Sequence, residues 1–167
     1  MRRLDMMLSR GVLRATTDDE SIQRMQLGLL DEETADRVER IQTYGLSSVP
    51  PPGGDALVAF IQGNRDHGVV LAVNDRGSRP KGLKGGEVCL YNDQAVTVCL
   101  TADGDLVIRA KRNITLETDE EITIKAQKLT IEVPEIAIKG NIELEGDLHA
   151  TGTINWDGLG GGGPGEP

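Results

Sequence analysis

Aromatic side chains are almost missing from this chain: one Trp, two Tyr and one Phe in 167 residues. Compact globular cores draw much of their buried area from such residues. Cysteine and histidine are equally sparse, with two of each. No Cys-x-x-Cys and no Cys/His cluster occurs, which closes the motif route to zinc. Cys89 and Cys99 read as buried small hydrophobes. Met1-Arg2-Arg3 is basic, but no apolar run of the length of a secretory signal follows it. No stretch approaches the roughly 20 apolar residues of a transmembrane helix. The expectation is a protein made and assembled in a cytoplasm. Gly-x-Ser-x-Gly, His-Glu-x-x-His and phosphate-cradling loops are all absent. Gly160 to Gly163 is a plain glycine run with no helix after it. The carboxylates of Asp119, Glu120 and Glu121 fall in an exposed corner, whereas glycosidase chemistry needs two facing each other across a cleft. These absences predict no enzyme, no catalytic residue and no cofactor.

What is present is a repeat. From Asp103 to Ile154, apolar residues recur as apolar-x-apolar pairs: Leu106/Ile108, Ile114/Leu116, Ile122/Ile124, Leu129/Ile131, Ile136/Ile138, Ile142/Leu144 and Leu148/Ala150, ending at Ile154. The steps between pairs are 8, 8, 7, 7, 6 and 6 residues. A spacing of two puts both members on one face of a strand. Polar connectors separate the pairs, at Ala110–Asn113, Thr118–Glu121, Lys139–Asn141 and Glu145–Asp147. Pro134 fits only a corner or an unpaired edge.

Each short strand offers about two inward residues, too few to close a core around one chain. A single-chain β-helix needs roughly 18 to 25 residues per coil, about three times this period. Three identical chains sharing each layer make up the difference. The Ile/Leu pairs then form the trimer core, the charged residues face out, and the falling step makes a prism that narrows towards the C-terminus. The competing reading is an antiparallel meander, against which stand strands shorter than the usual 5–6 residues.

Net charge is −9. Residues 103–167 hold 13 Asp/Glu and 6 Lys/Arg, so most of the acidity lies on the repeat. An acidic surface repels phosphate backbones, which argues against nucleic acid.

Upstream, alternation predicts strands at Gly11–Ala15, Ile22–Leu27, Arg37–Gln42, Asp55–Ile61 and Val69–Val73. Pro50-Pro51-Pro52-Gly53-Gly54 breaks the chain between the third and fourth. Five strands with uneven loops fit a small OB-like Greek-key barrel. Such barrels bind single strands through aromatic platforms in basic grooves. Only Tyr44, Phe60 and Tyr91 are on hand, and Phe60 reads as core.

The fold class is therefore all-β, an OB-like five-stranded barrel followed by a tapering intertwined three-chain β-helix. Residues 1–10 form an N-terminal segment, with Leu4, Met7 and Leu8 on one side. The barrel covers 11–75. A basic Gly-rich linker and a hairpin occupy 76–102. The spike-like repeat runs 103–157, and 158–167 is a Gly/Pro-rich tip or tail. In the hairpin, a tight turn at Asn92-Asp93 puts Cys89 opposite Val96 and Cys99 opposite Gly86, which disfavours an intrachain disulfide. His67 lies in the Gly63–Gly68 turn in a structural or solvated role, and His149 points outward between Leu148 and Ala150.

Several stretches resemble one family. They are Tyr44-Gly45-Leu46-Ser47-Ser48-Val49-Pro50, Ala56-Leu57-Val58-Ala59-Phe60, Gly63-Asn64-Arg65-Asp66-His67-Gly68, and Arg76 through Lys81-Gly82-Leu83-Lys84-Gly85-Gly86-Glu87-Val88. With the repeat, they make residues 8–155 similar to the baseplate assembly protein V family, the central tail spikes of Mu-like contractile-tailed phages. The resemblance implies a homotrimer in the tail baseplate of the virion, assembled in the bacterial host cytoplasm. It implies a barrel seated on the baseplate hub protein. It also implies a spike that perforates the host outer membrane when the sheath contracts. A phage-tail-like bacteriocin or injection machine would use the same part. A fused cell-wall hydrolase has no room in residues 87–103, and an OB-fold ligand-binding module is disfavoured by charge and aromatic content. Relatives often carry a His-x-His pair for iron near the tip. Here the end reads Leu148-His149-Ala150-Thr151-Gly152-Thr153-Ile154-Asn155-Trp156-Asp157, so iron is not carried over, and ions on the axis are left open. Trp156 is the candidate tip, as a plug or as the seat of a separate tip-capping protein.

Overall fold

The computed structural model describes residues 7–30 and 33–155. It is all-β, with no α-helix among the described residues and a 3₁₀ turn at Ile61–Gly63. The chain divides after Glu117 into two units.

Five strands close a barrel: β1 (Leu8–Thr17), β2 (Arg24–Gly28), β3 (Thr34–Arg40), β4 (Asp55–Phe60) and β5 (Gly68–Asn74). Their order around the barrel is β1-β2-β3-β5-β4, with β1 and β4 adjacent. β1 starts at Leu8, three residues before the expected boundary at Gly11, because Leu8 to Val12 pair with Ala59 to Asp55. From Val12 to Thr17, β1 pairs with β2, with a register shift at Arg14, as a bulge at a barrel corner gives. The parallel pairing of Glu39 with Val69 and Arg40 with Val70 completes the ring. Alternation points Met25 and Leu27, and Ala56, Val58 and Phe60, inward. With Leu13, Val38 and Val70 they form the core. Phe60 is buried, as its sequence context indicated. Gly68 makes room for it, since a Cβ there would lie 3.0 Å from the Phe60 ring.

The β3–β4 loop is pinned by a polar network. The Gln23 side chain, 4% exposed, donates to Asp18 Oδ1 and to the Ser48 carbonyl. Arg40 Nη1 donates to Gln23 Oε1 at 2.7 Å and to the Ser48 carbonyl at 2.6 Å. Burial pulls the Arg40 guanidinium below its usual value and the Asp18 charge opposes that shift; arginine remains charged in proteins. Gly53 and Gly54 dock on the two backbone groups of Leu13, closing the loop onto β1.

The same unit holds a second sheet, β6 (Val88–Tyr91), β7 (Thr97–Leu100) and β8 (Leu106–Arg109), in that order and antiparallel. Its first turn corrects the sequence reading. The connection is a five-residue loop, Asn92 to Val96, rather than a two-residue turn. Asn92 Oδ1 accepts from the N–H groups of Gln94 and Val96, both at 3.0 Å, and Ala95 adopts φ 60°. The longer loop moves the register, so Cys89 faces Cys99 and the two are disulfide-bonded. Ahead of the sheet, Glu87 accepts from the Lys84 and Ala102 N–H groups, which hold its carboxylate below the ordinary range.

Beyond Arg109 no strand is formed among the described residues, although the sequence reading placed short strands there. The pairs Ile114/Leu116 through Leu148/Ala150 lie on straight segments separated by bends. The bends fall at Lys111–Arg112, Asp119–Glu120, Gln127, Pro134, Gly140, Gly146 and Thr151–Gly152. A strand is defined by its ladder, and this stretch has no backbone–backbone hydrogen bond to another described residue. The corners are where the connectors were expected, including the one at Pro134.

Candidate assembly interface

The sheet β6-β7-β8 has two unlike faces. One carries two apolar rows, Val88–Leu100–Leu106 and Leu90–Val98–Ile108, each read across the three strands by the pairing register. The opposite face carries Cys89, Cys99 and Val107 in one row. The apolar rows are the more exposed: all six residues lie between 38% and 60%. The barrel core residues Leu13, Leu27, Val58 and Val70 are buried to 1% exposure or less, whereas this face has no comparable cover among the described residues.

The expected core residues Leu106, Ile108, Ile114, Leu116, Ile122, Ile124, Leu129, Ile131, Ile136, Ile138, Ile142, Leu144, Leu148 and Ile154 are likewise all exposed, from 48% to 73%. None of them is covered by another described residue to the extent the barrel core is. Val88, Leu90, Val98 and Leu100 belong with this set, and the sequence reading left them in a linker and hairpin. The signal was present. Val88/Leu90 and Val98/Leu100 have the same apolar-x-apolar spacing, and their steps of 10 and 8 extend the narrowing series upstream. Trp156, the candidate tip, and the 158–167 tail lie outside the described residues.

No group of three His, Cys, Asp or Glu able to hold a metal occurs among the described residues. His67 is exposed in its turn, donating its N–H to the Asn64 carbonyl at 3.1 Å. In the same turn Arg65 lies 3.9 Å over the Phe60 ring and binds Glu33 and Ser9. That motif caps the barrel core, a structural task. A depression of about 200 Å³ on the barrel is lined by Thr17, Arg24, Met25, Asp36 and Arg37 among others. Its polar lining is arginine, carboxylate, amide and hydroxyl, with neither histidine nor cysteine to serve as base or nucleophile.

The family described as Bacteriophage Mu Gp45, N-terminal, matches residues 10–77, the barrel. Over 157 residues the chain is 36% identical to the baseplate puncturing device gp45 of Escherichia phage Mu, covering 94% of this chain and 76% of that protein. It is 37% identical over 150 residues to the Mu-like prophage FluMu protein gp45 of Haemophilus influenzae, covering 90% of this chain and 81% of the relative. The chain belongs to the Mu gp45 family. Members of the Mu gp45 family are structural proteins of the phage tail baseplate, and this chain is a baseplate component and no enzyme. Both alignments are too long to rest on the barrel alone, so the relationship takes in the repeat.

Proposed function

We propose that three copies of this chain assemble into the central spike of a contractile tail. The observation that carries the reading is the series of exposed apolar pairs in the β6-β7-β8 sheet and again from Ile114 to Ile154, joined to a backbone that has no ladder beyond Arg109 among the described residues. Buried backbone donors and acceptors need partners, and apolar side chains gain about 1.5–3 kcal/mol each on full burial. Two further copies satisfy both needs at once. Each layer receives one segment from every chain, the pairs meet on the axis, and neighbouring chains supply the missing hydrogen bonds. Closure leaves no free sheet edge along the shaft.

The function is mechanical. The three barrels seat on the baseplate hub, and the prism points away from it. Sheath contraction drives the prism through the host outer membrane, in keeping with the name of the phage Mu relative, a puncturing device. The falling repeat length, from 8 residues at Leu106 to 6 at Leu148, narrows the shaft towards its end. A shaft of many short inter-chain ladders spreads load over many hydrogen bonds.

Light scattering on the purified protein tests this reading. The expected mass is three times the 18.0 kDa chain. A folded monomer would overturn it.

A further inference from the structure

Nearly equivalent Ile/Leu pairs can fill an axis, but they do not tell one layer from the next. A chain slipped by one segment would still bury aliphatic residues. Something else must set the register. The residue immediately after each pair carries it. In order these residues are Arg109, Glu117, Lys125, Glu132, Lys139 and Glu145, and their charges alternate without a break. The residue before each pair obeys the same exclusion: Glu121, Lys128 and Glu135 alternate, and the flanking positions Asn113 and Asn141 keep Asp105 and Asp147 from adjoining a like charge.

Position and chemistry agree. In β8 the apolar row uses Leu106 and Ile108, so alternation puts Arg109 on the other face. Each later member also lies three residues after the first residue of its pair, and one or two residues before a bend. All six are exposed, and none makes an ion pair with another described residue. They are therefore available to other copies.

We propose that these residues form a charge ladder between chains that fixes the register of the spike. The proposal rests on the three-chain reading. If every chain turns one corner per bend, the segment stacked on a given segment is the next repeat of a different chain. Stacked strands lie about 4.7–4.9 Å apart. Glu117 of one chain then meets Arg109 and Lys125 of its neighbours, and Lys139 meets Glu132 and Glu145. A slip by one segment brings each residue against its own counterpart, Lys125 on Lys125 and Glu132 on Glu132. Like charges directly opposite destabilise a ladder, whereas opposite charges support it. A slip by two restores the alternation, but it puts segments of unequal step into one layer, 8 with 7 and 7 with 6, where the unslipped layer holds three of equal step, so the taper opposes it. Core, ladder and taper thus divide the work of specifying one assembly.

Inverting all six charges in one variant (R109E, E117K, K125E, E132K, K139E and E145K) leaves net charge unchanged and preserves the alternation. That variant is expected to form its own trimers. When it is co-expressed with the native chain under a different affinity tag, mixed trimers are expected to fall at least about tenfold below the roughly three-quarters that random assortment of threefold rings gives, because every native–inverted contact opposes like charges. Random mixing of intact trimers would overturn the ladder and leave the trimer standing. Absence of trimers from the native chain itself would instead overturn the spike reading. If the inverted chain does not assemble, Lys125→Glu in the native background decides. The ladder expects a trimer with a lower urea midpoint in low salt and a deficit that shrinks at high salt. A midpoint equal to that of the native chain, or a deficit indifferent to salt, would overturn it.

Discussion

The barrel and the repeat use the same aliphatic alphabet to opposite ends. In the barrel, Leu13, Leu27, Val58 and Val70 are essentially inaccessible, and every strand finds both neighbours within the chain. In the repeat, Ile and Leu at similar spacing stand half or more exposed, and the backbone finds no ladder. The difference lies in strand length and connection. Barrel strands of five to ten residues joined by loops can return on themselves. Segments of two inward residues and a sharp bend cannot. That contrast is what the proposed three-chain assembly accounts for.

The comparison can be broken first at Ile122. Ile122→Asp would place three carboxylates near the axis without partners, and removal of charge from water at that cost prevents assembly. The expected outcome is loss of the trimer by light scattering, with the barrel still folded by circular dichroism. Next is the barrel's own core. Phe60→Ala should destabilise the barrel by about 3–5 kcal/mol while leaving the mass at three chains, visible as a separate early transition in a denaturant melt. Third is the disulfide between β6 and β7. Replacing Cys89 and Cys99 together with serine removes a cross-link spanning 10 residues. Loops of that size are worth about 2–3 kcal/mol, to be read as a lower midpoint for the β6–β8 region with assembly retained.

The smallest effect concerns pH. Glu87 is held below its ordinary value by the Lys84 and Ala102 N–H groups, and Asp75 by the Ser78 hydroxyl and the Gly77 and Ser78 N–H groups. A carboxylate depressed in the folded state stabilises above its unfolded value and loses that contribution as pH falls through the folded one. Both are only partly buried, so the change is modest. Stability should decline as pH drops below about 4.5, and Glu87→Gln should flatten part of that decline in a melt series.

Much of this was legible from the chain. The barrel strands were, because Met25-x-Leu27 and Ala56-x-Val58-x-Phe60 alternate cleanly and Pro50-Pro51-Pro52 marks the break. The bends were, because Pro134, Gly140 and Gly146 sit between pairs. The start of β1 was missed because Leu8-Ser9-Arg10 carries too little alternation, and only its pairing to β4 reveals it. The disulfide was missed because Asn92 organises a five-residue loop through its side chain, which a two-residue turn motif does not anticipate. The upstream part of the interface was missed for a related reason. Val88-x-Leu90 and Val98-x-Leu100 look like an ordinary hairpin until the register aligns them with Leu106-x-Ile108.

The central claim is that the repeat obtains its backbone partners from other copies. Hydrogen exchange on the intact protein tests it most directly, resolved to peptides between residues 111 and 155. Inter-chain ladders predict amide protection throughout that stretch, comparable to the barrel strands β2 and β4, although it makes no such bond to another described residue of its own chain. Exchange there at the rate of an unfolded chain, alongside a protected barrel, would contradict it.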